Sequence, residues 1–214
     1  MFTLIYSLRL FSAFFVLGFG IFTFIKNKKS SINKAFLKLT ISIFIWLISY
    51  AWASRISNAD HMLYVFKTGY AGIIFIPVTF YEFIATFLSK QKIGLFLAFF
   101  YLVGIFFILL LYFTPFLIQD LYHYSWGYYP KVNVRAHPLF LCFFIGLFTA
   151  GFIELALNLL KEKNPTQLSK TKYVLWGSII ASLGSIDFIP NYGINFFPLG
   201  FIFLVLLPII FTYA

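Results

Sequence analysis

The sequence predicts an all-α membrane protein: a seven-transmembrane helix bundle with its N-terminus outside and its C-terminus in the cytoplasm. Three observations carry this. Hydrophobic residues make up 62% of the 214 and charged residues only 10%, a composition suited to lipid. Seven apolar runs, each about 20 residues long, are separated by polar breaks, and about 20 residues is what a helix needs to cross the hydrocarbon core. Lysine and arginine gather in alternate breaks, as orientation signals do. The runs are continuous, whereas a membrane β-barrel needs short strands that alternate lipid-facing and lumen-facing residues, so helix is the reading for all seven.

In chain order, the first run covers about residues 3–25 and lacks the basic leader and small-residue cleavage site of a signal peptide, so it reads as a retained span. Runs 35–53, 62–88 and 93–113 follow. Pro77 falls midway along the third, where its missing N–H should kink the helix, either as a hinge or as the static proline kink common in membrane helices. The longest break, 114–137, holds Tyr122, Tyr124, Trp126, Tyr128 and Tyr129. These rings read as an interfacial aromatic belt or as a lid that stacks on a ligand, with Lys131, Arg135 and His137 as donors. Runs 138–160 and 173–189 come next. A turn with Pro190 and Gly193 closes the sixth, and Pro198 suits the first helical turn of the seventh, 197–213. That run ends with no basic flank or cap. The expectation is therefore a single membrane module over residues 1–214 with a cytoplasmic output domain after it.

The net charge of +10 would suggest nucleic acid as the partner of a soluble protein, but here the basic residues are placed as topology signals. One set of loops has eleven: Lys26, Lys28, Lys29, Lys34, Lys38, Lys90, Lys92, Lys161, Lys163, Lys170 and Lys172. The other set has three, Arg55, Lys131 and Arg135. The lysine-rich side is the cytoplasmic one by the positive-inside rule. A lone cysteine, Cys142, excludes an intrachain disulfide and a cysteine-based metal site. His61, His123 and His137 fall on one side of the membrane without metal-ligand spacing, and no hydrolase, zincin, P-loop or dinucleotide motif occurs. No metal, cofactor or catalytic residue is expected in this chain.

Ionisable side chains inside spans are the candidates for function, since each costs about 2.5–3.5 kcal/mol at mid-span by insertion scales. Arg9, Lys67 and Asp187 share the outer half of the membrane. Asp187 would pair with Lys67 or Arg9 and leave a cation for the anionic group of a ligand, with Trp126, Tyr128 and Tyr129 closing over it; the bland alternative is a salt bridge that fixes helix packing. Lys38, Glu82, Glu154 and Asn158 share the inner half. There the two carboxylates would bind a cation or share a proton, or else pair with nearby lysines.

Three blocks carry a family resemblance. The first runs from Asn33-Lys34-Ala35-Phe36 through Trp46, Tyr50-Ala51 and Tyr64-Val65-Phe66-Lys67-Thr68-Gly69-Tyr70 to Ile76-Pro77 and Phe80-Tyr81-Glu82-Phe83. The second is Trp126-Gly127-Tyr128-Tyr129-Pro130-Lys131, and the third, the most specific, is Asp187-Phe188-Ile189-Pro190-Asn191-Tyr192-Gly193-Ile194 with Phe197-Pro198-Leu199-Gly200. In these blocks the chain resembles the seven-transmembrane N-terminal sensor domain of bacterial sensor histidine kinases and diguanylate cyclases. The resemblance implies a signal-input module that passes a stimulus to a cytoplasmic kinase or cyclase. The partners expected are the lipid bilayer of the cell membrane, an unidentified small ligand, the attached output domain and, as an option, a second copy of the chain. A small transporter or channel is the alternative.

Overall fold

The computed structural model describes residues 2–91 and 93–212. Lys92, counted above among the basic loop residues, and Tyr213 and Ala214, at the end of the seventh predicted run, lie outside the described residues.

The chain forms α1 (Phe2–Lys26), α2 (Ser31–Ala53), α3 (Ala59–Phe87), α4 (Gly94–Phe113), a hairpin of β1 (Ile118–Tyr124) and β2 (Gly127–Val132), α5 (His137–Lys161), α6 (Pro165–Ser182), a 3₁₀ segment (Leu183–Tyr192) and α7 (Phe201–Thr212). Among the described residues, six helices are long and apolar enough to cross a membrane, the sixth running on through the 3₁₀ segment to Tyr192, and α7 is a shorter apolar helix. Local chemistry sets the starts. The Ser30 hydroxyl accepts the Asn33 N–H ahead of α2, Asn58 accepts from His61 ahead of α3, and Asn164 accepts from Thr166 and Gln167 ahead of α6. Pro165 occupies the first turn of α6, so that helix begins eight residues before the predicted 173; its first turns are polar and project beyond the apolar run.

The helix at the centre is α3, with 78% of its most apolar window buried against 17% for α4. Its Gly72 lets α2 approach closely: a Cβ there would stand 2.5 Å from the Ser42 carbonyl and 2.8 Å from the Trp46 nitrogen. Tyr70, Phe80 and Ile74 of α3 are fully buried in the core, while Leu95, Leu102 and Phe113 of α4 face outward. α3 runs through Pro77 as one helix.

Three expectations are corrected. The break at 114–137 is not an open loop but an antiparallel hairpin, with Tyr122 opposite Tyr129 and His123 opposite Tyr128. Aromatic residues favour a pleated surface, and Gly127, at φ +124, takes the turn conformation that a side chain would resist. The sixth span ends as α-helix at Ser182 and tightens into the 3₁₀ segment before Gly193, at φ +86, stops it. The seventh helix begins at Phe201, not Pro198, because the residues before it form an irregular connector whose backbone is claimed by side chains elsewhere.

Candidate functional site

Proline chemistry builds the centre of the site. In a 3₁₀ pattern the carbonyl of Asp187 should receive the N–H of residue 190, but that residue is proline and has none. Tyr129 supplies the donor instead: its hydroxyl donates to the Asp187 carbonyl at 2.9 Å. From the same hairpin, Tyr124 donates to the Pro190 carbonyl at 2.5 Å. Burial, with the charge of Asp187 adding to it, pushes the Tyr129 phenol well above its ordinary range, so it stays a donor. Two tyrosines thus fasten the hairpin to the 3₁₀ backbone.

The Asp187 side chain faces the other way. It is 4% exposed, and Oδ1 accepts the Gly200 N–H at 2.6 Å, just where α7 begins. The first N–H groups of a helix lack internal partners and carry the positive end of its dipole, so a carboxylate is well placed there. Gly200 is required by this approach: a Cβ would stand 2.8 Å from Oδ1 and 2.5 Å from the Gly184 carbonyl. Arg9, 7% exposed, donates from Nη2 to the Pro198 carbonyl at 3.2 Å and lies 5.4 Å from the centre of the Phe201 ring. The acid and the base form no direct ion pair; each grips the connector two residues apart. Neither does an ion pair join Asp187 to Lys67, which is half-buried on α3.

Above this centre lies a cavity of about 380 Å³ between the hairpin and the ends of α1, α2 and α3. Arg9, Trp126 and Tyr128 line it, together with Tyr50, Ser57 and Phe66. Trp126 stacks on Tyr124 at 4.7 Å, and its Nε1 donates to Asn195 Oδ1 at 2.8 Å. Tyr128 is exposed, with its ring tilted against His123 at 4.6 Å. Tyr129 is no part of that wall; it is fully buried below it. His137 is not a loop donor either. It is sealed at the start of α5, bonded through Nε2 to the Tyr70 hydroxyl and through Nδ1 to Tyr192 at 2.5 Å. Arg135 is exposed, and Lys131 sits over the Tyr122 ring.

At the opposite end the four predicted residues do not form one cluster. Lys38 pairs with Glu82 at 2.6 Å, and Tyr101 donates to the other Glu82 oxygen at 2.5 Å. Glu154 pairs with Lys90, and Asn158 accepts from Thr171 at 3.0 Å. The two carboxylates serve different lysines, and no group of three metal-ligating side chains occurs among the described residues.

The family description "N-terminal 7TM region of histidine kinase" matches residues 8–214. The chain belongs to this family. No curated protein matches it at a significant level. The match takes in every residue of the site just described, from Arg9 to Gly200, and places the chain in the non-catalytic, membrane-embedded part of histidine kinases. Within this 7TM region, several residues take a part in the site that was not expected of them from sequence. Tyr124 was expected only as a ring of the belt or lid, yet its hydroxyl, like any buried phenol, had to find a partner, and it takes the Pro190 carbonyl. Gly200 and Asn191 had no signal beyond their place in the third block.

Proposed function

We propose that this chain is the signal-input module of a sensor histidine kinase, with the hairpin end outside the cell membrane and the lysine-rich end in the cytoplasm, followed there by the output domain. The distribution of eleven basic residues against three supports the orientation. The reading rests above all on one observation: Asp187 joins the hairpin to the last helix, its carbonyl held by Tyr129 and its carboxylate holding the Gly200 N–H. A stimulus that shifts the hairpin changes the hold on the 3₁₀ segment, and α7 carries the change onward. Such a device works as a population shift between two packings. The cavity under the hairpin is the entry for an extracytoplasmic ligand with an anionic group, met by Arg9, with Trp126 and Tyr128 as its covering rings. Lys67 and the Pro77 hinge lie outside this route.

The test uses the full-length kinase in vesicles. Asp187→Ala should shift autophosphorylation about 5–150-fold from the wild-type level, the range of ordinary coupling energies, with membrane insertion unchanged. Wild-type autophosphorylation in that variant would refute the route. Solute flux through vesicles containing this chain alone would favour a transporter instead.

A further inference from the structure

A second cavity, of about 400 Å³, lies within the spanning part of the bundle between α5 and the 3₁₀ segment. That volume is within the range of about 300–1,000 Å³ typical of small-molecule sites. Leu39, Ile43, Ile76, Phe80, Phe148 and Leu207 form much of its wall, and no charged side chain lines it. Four hydroxyls do. Ser178, Ser182 and Ser185 donate their protons to carbonyls of their own turns, and Thr149 sits at the exposed rim. The chamber therefore offers nothing to a charged or strongly polar molecule. It opens sideways: Ile145 and Thr149 on α5 and Ser185 on the 3₁₀ segment are exposed at its mouth, at a depth where the surroundings are hydrocarbon.

At its inner end the chamber shares Trp46, Ile73, Gly184 and Phe188 with a void of about 10 Å³, which Asp187 and Asn191 also line. This is room for a group about the size of one water or hydroxyl. Asn191 is 1% exposed, and its Oδ1 is a buried acceptor with no hydrogen-bond partner. Buried acceptors are rarely left so. Asp187 Oδ1 next to it is already bonded to Gly200.

We propose that this chamber binds a neutral amphiphile dissolved in the membrane: a single hydrocarbon chain in the apolar cavity, tipped by a hydroxyl that donates to Asn191 Oδ1. A phospholipid headgroup is too large for the void, a carboxylate has no proton to donate to Asn191 Oδ1 and would face the Asp187 carboxyl, and a plain alkane leaves that oxygen unpaired. The bound chain lies against Phe188 and against Leu204 and Leu207 of α7, so it touches the elements joined through Asp187. Binding itself is independent of the signalling reading and is measured without the kinase.

The experiment places the chain in phosphatidylcholine vesicles with a long-chain primary alcohol carrying a diazirine at mid-chain, followed by illumination and peptide mass spectrometry. The expected result is adducts on Phe144 and Phe148 that are competed by the unlabelled alcohol and not by the alkane of equal length. Asn191→Leu should erase the alcohol's advantage over the alkane. Ala181→Phe, which fills the chamber, should remove the adducts while leaving those on lipid-facing Leu102 of α4, a sign that the variant is embedded and folded. Equal competition by alkane and alcohol in the wild type would overturn the proposal, as would chamber adducts that persist in Ala181→Phe.

Discussion

At the lysine-rich end, Lys38 meets Glu82 at 2.6 Å with the lysine side chain about half exposed, whereas at the hairpin end Arg9 and Asp187 are almost sealed from solvent and bind backbone groups instead of each other. Charge that is neutralised by a mobile side chain can be lost at small cost, because the remaining partner turns to water. Charge that is satisfied by a fixed N–H or carbonyl ties itself to one conformation of the chain. The lysine-rich end is therefore pinned loosely, and the hairpin end is where a change in backbone geometry is felt by an ionised group.

Substitutions can break this contrast or sharpen it. The largest effect is expected for Gly200→Ala, whose new Cβ meets the Gly184 carbonyl and Asp187 Oδ1; overpacking and a lost hydrogen bond together should cost about 2–4 kcal/mol. Reversible unfolding of the chain in mixed micelles would measure it, and a loss as small as that of a surface variant would remove the special standing of this end. Tyr129→Phe should cost about 1–2 kcal/mol, because the Asp187 carbonyl loses its donor inside the protein. Hydrogen exchange in the hairpin should rise with it; unchanged exchange would show that the bond does not hold the hairpin down. Lys38→Ala should cost about 1 kcal/mol, the upper end for an exposed pair, because the Glu82 side chain is only 15% exposed although it keeps the Tyr101 hydroxyl. A loss above that of Tyr129→Phe would reverse the comparison.

The apolar runs that mark the spans were legible because length and continuity alone decide whether a segment can cross lipid. The depth of Arg9 and Asp187 could be counted the same way, which put them in one layer. Their partners could not be counted. The Pro198 carbonyl and the Gly200 N–H are backbone groups, identical in type at nearly every position, and only the folded connector brings them within reach. The hairpin was hidden for a related reason. Its tyrosines and Trp126 are what an interfacial belt also requires, and the two readings part only when Tyr124 and Tyr129 find carbonyls on a segment more than fifty residues away. The start of α7 was misplaced because Pro198 is locally compatible with a helical first turn, whereas in the fold its carbonyl is taken by Arg9.

The ten-residue 3₁₀ segment is also a store of length. A 3₁₀ turn rises about 2.0 Å per residue and an α-turn about 1.5 Å, and 3₁₀ runs seldom exceed three or four residues. Rewinding Leu183–Tyr192 as α-helix would shorten it by about 5 Å, close to one full α-helical pitch. Release of the Asp187 and Pro190 carbonyls by the two tyrosines is the step that would permit it. The hairpin would then act as a catch on a telescoping rod, and the stroke would be read as the separation of spin labels at Ile179→Cys and Ile194→Cys in a Cys142→Ser background. The shorter distance should appear in Tyr124→Phe/Tyr129→Phe, and an unchanged distance there would mean that the rod does not slide.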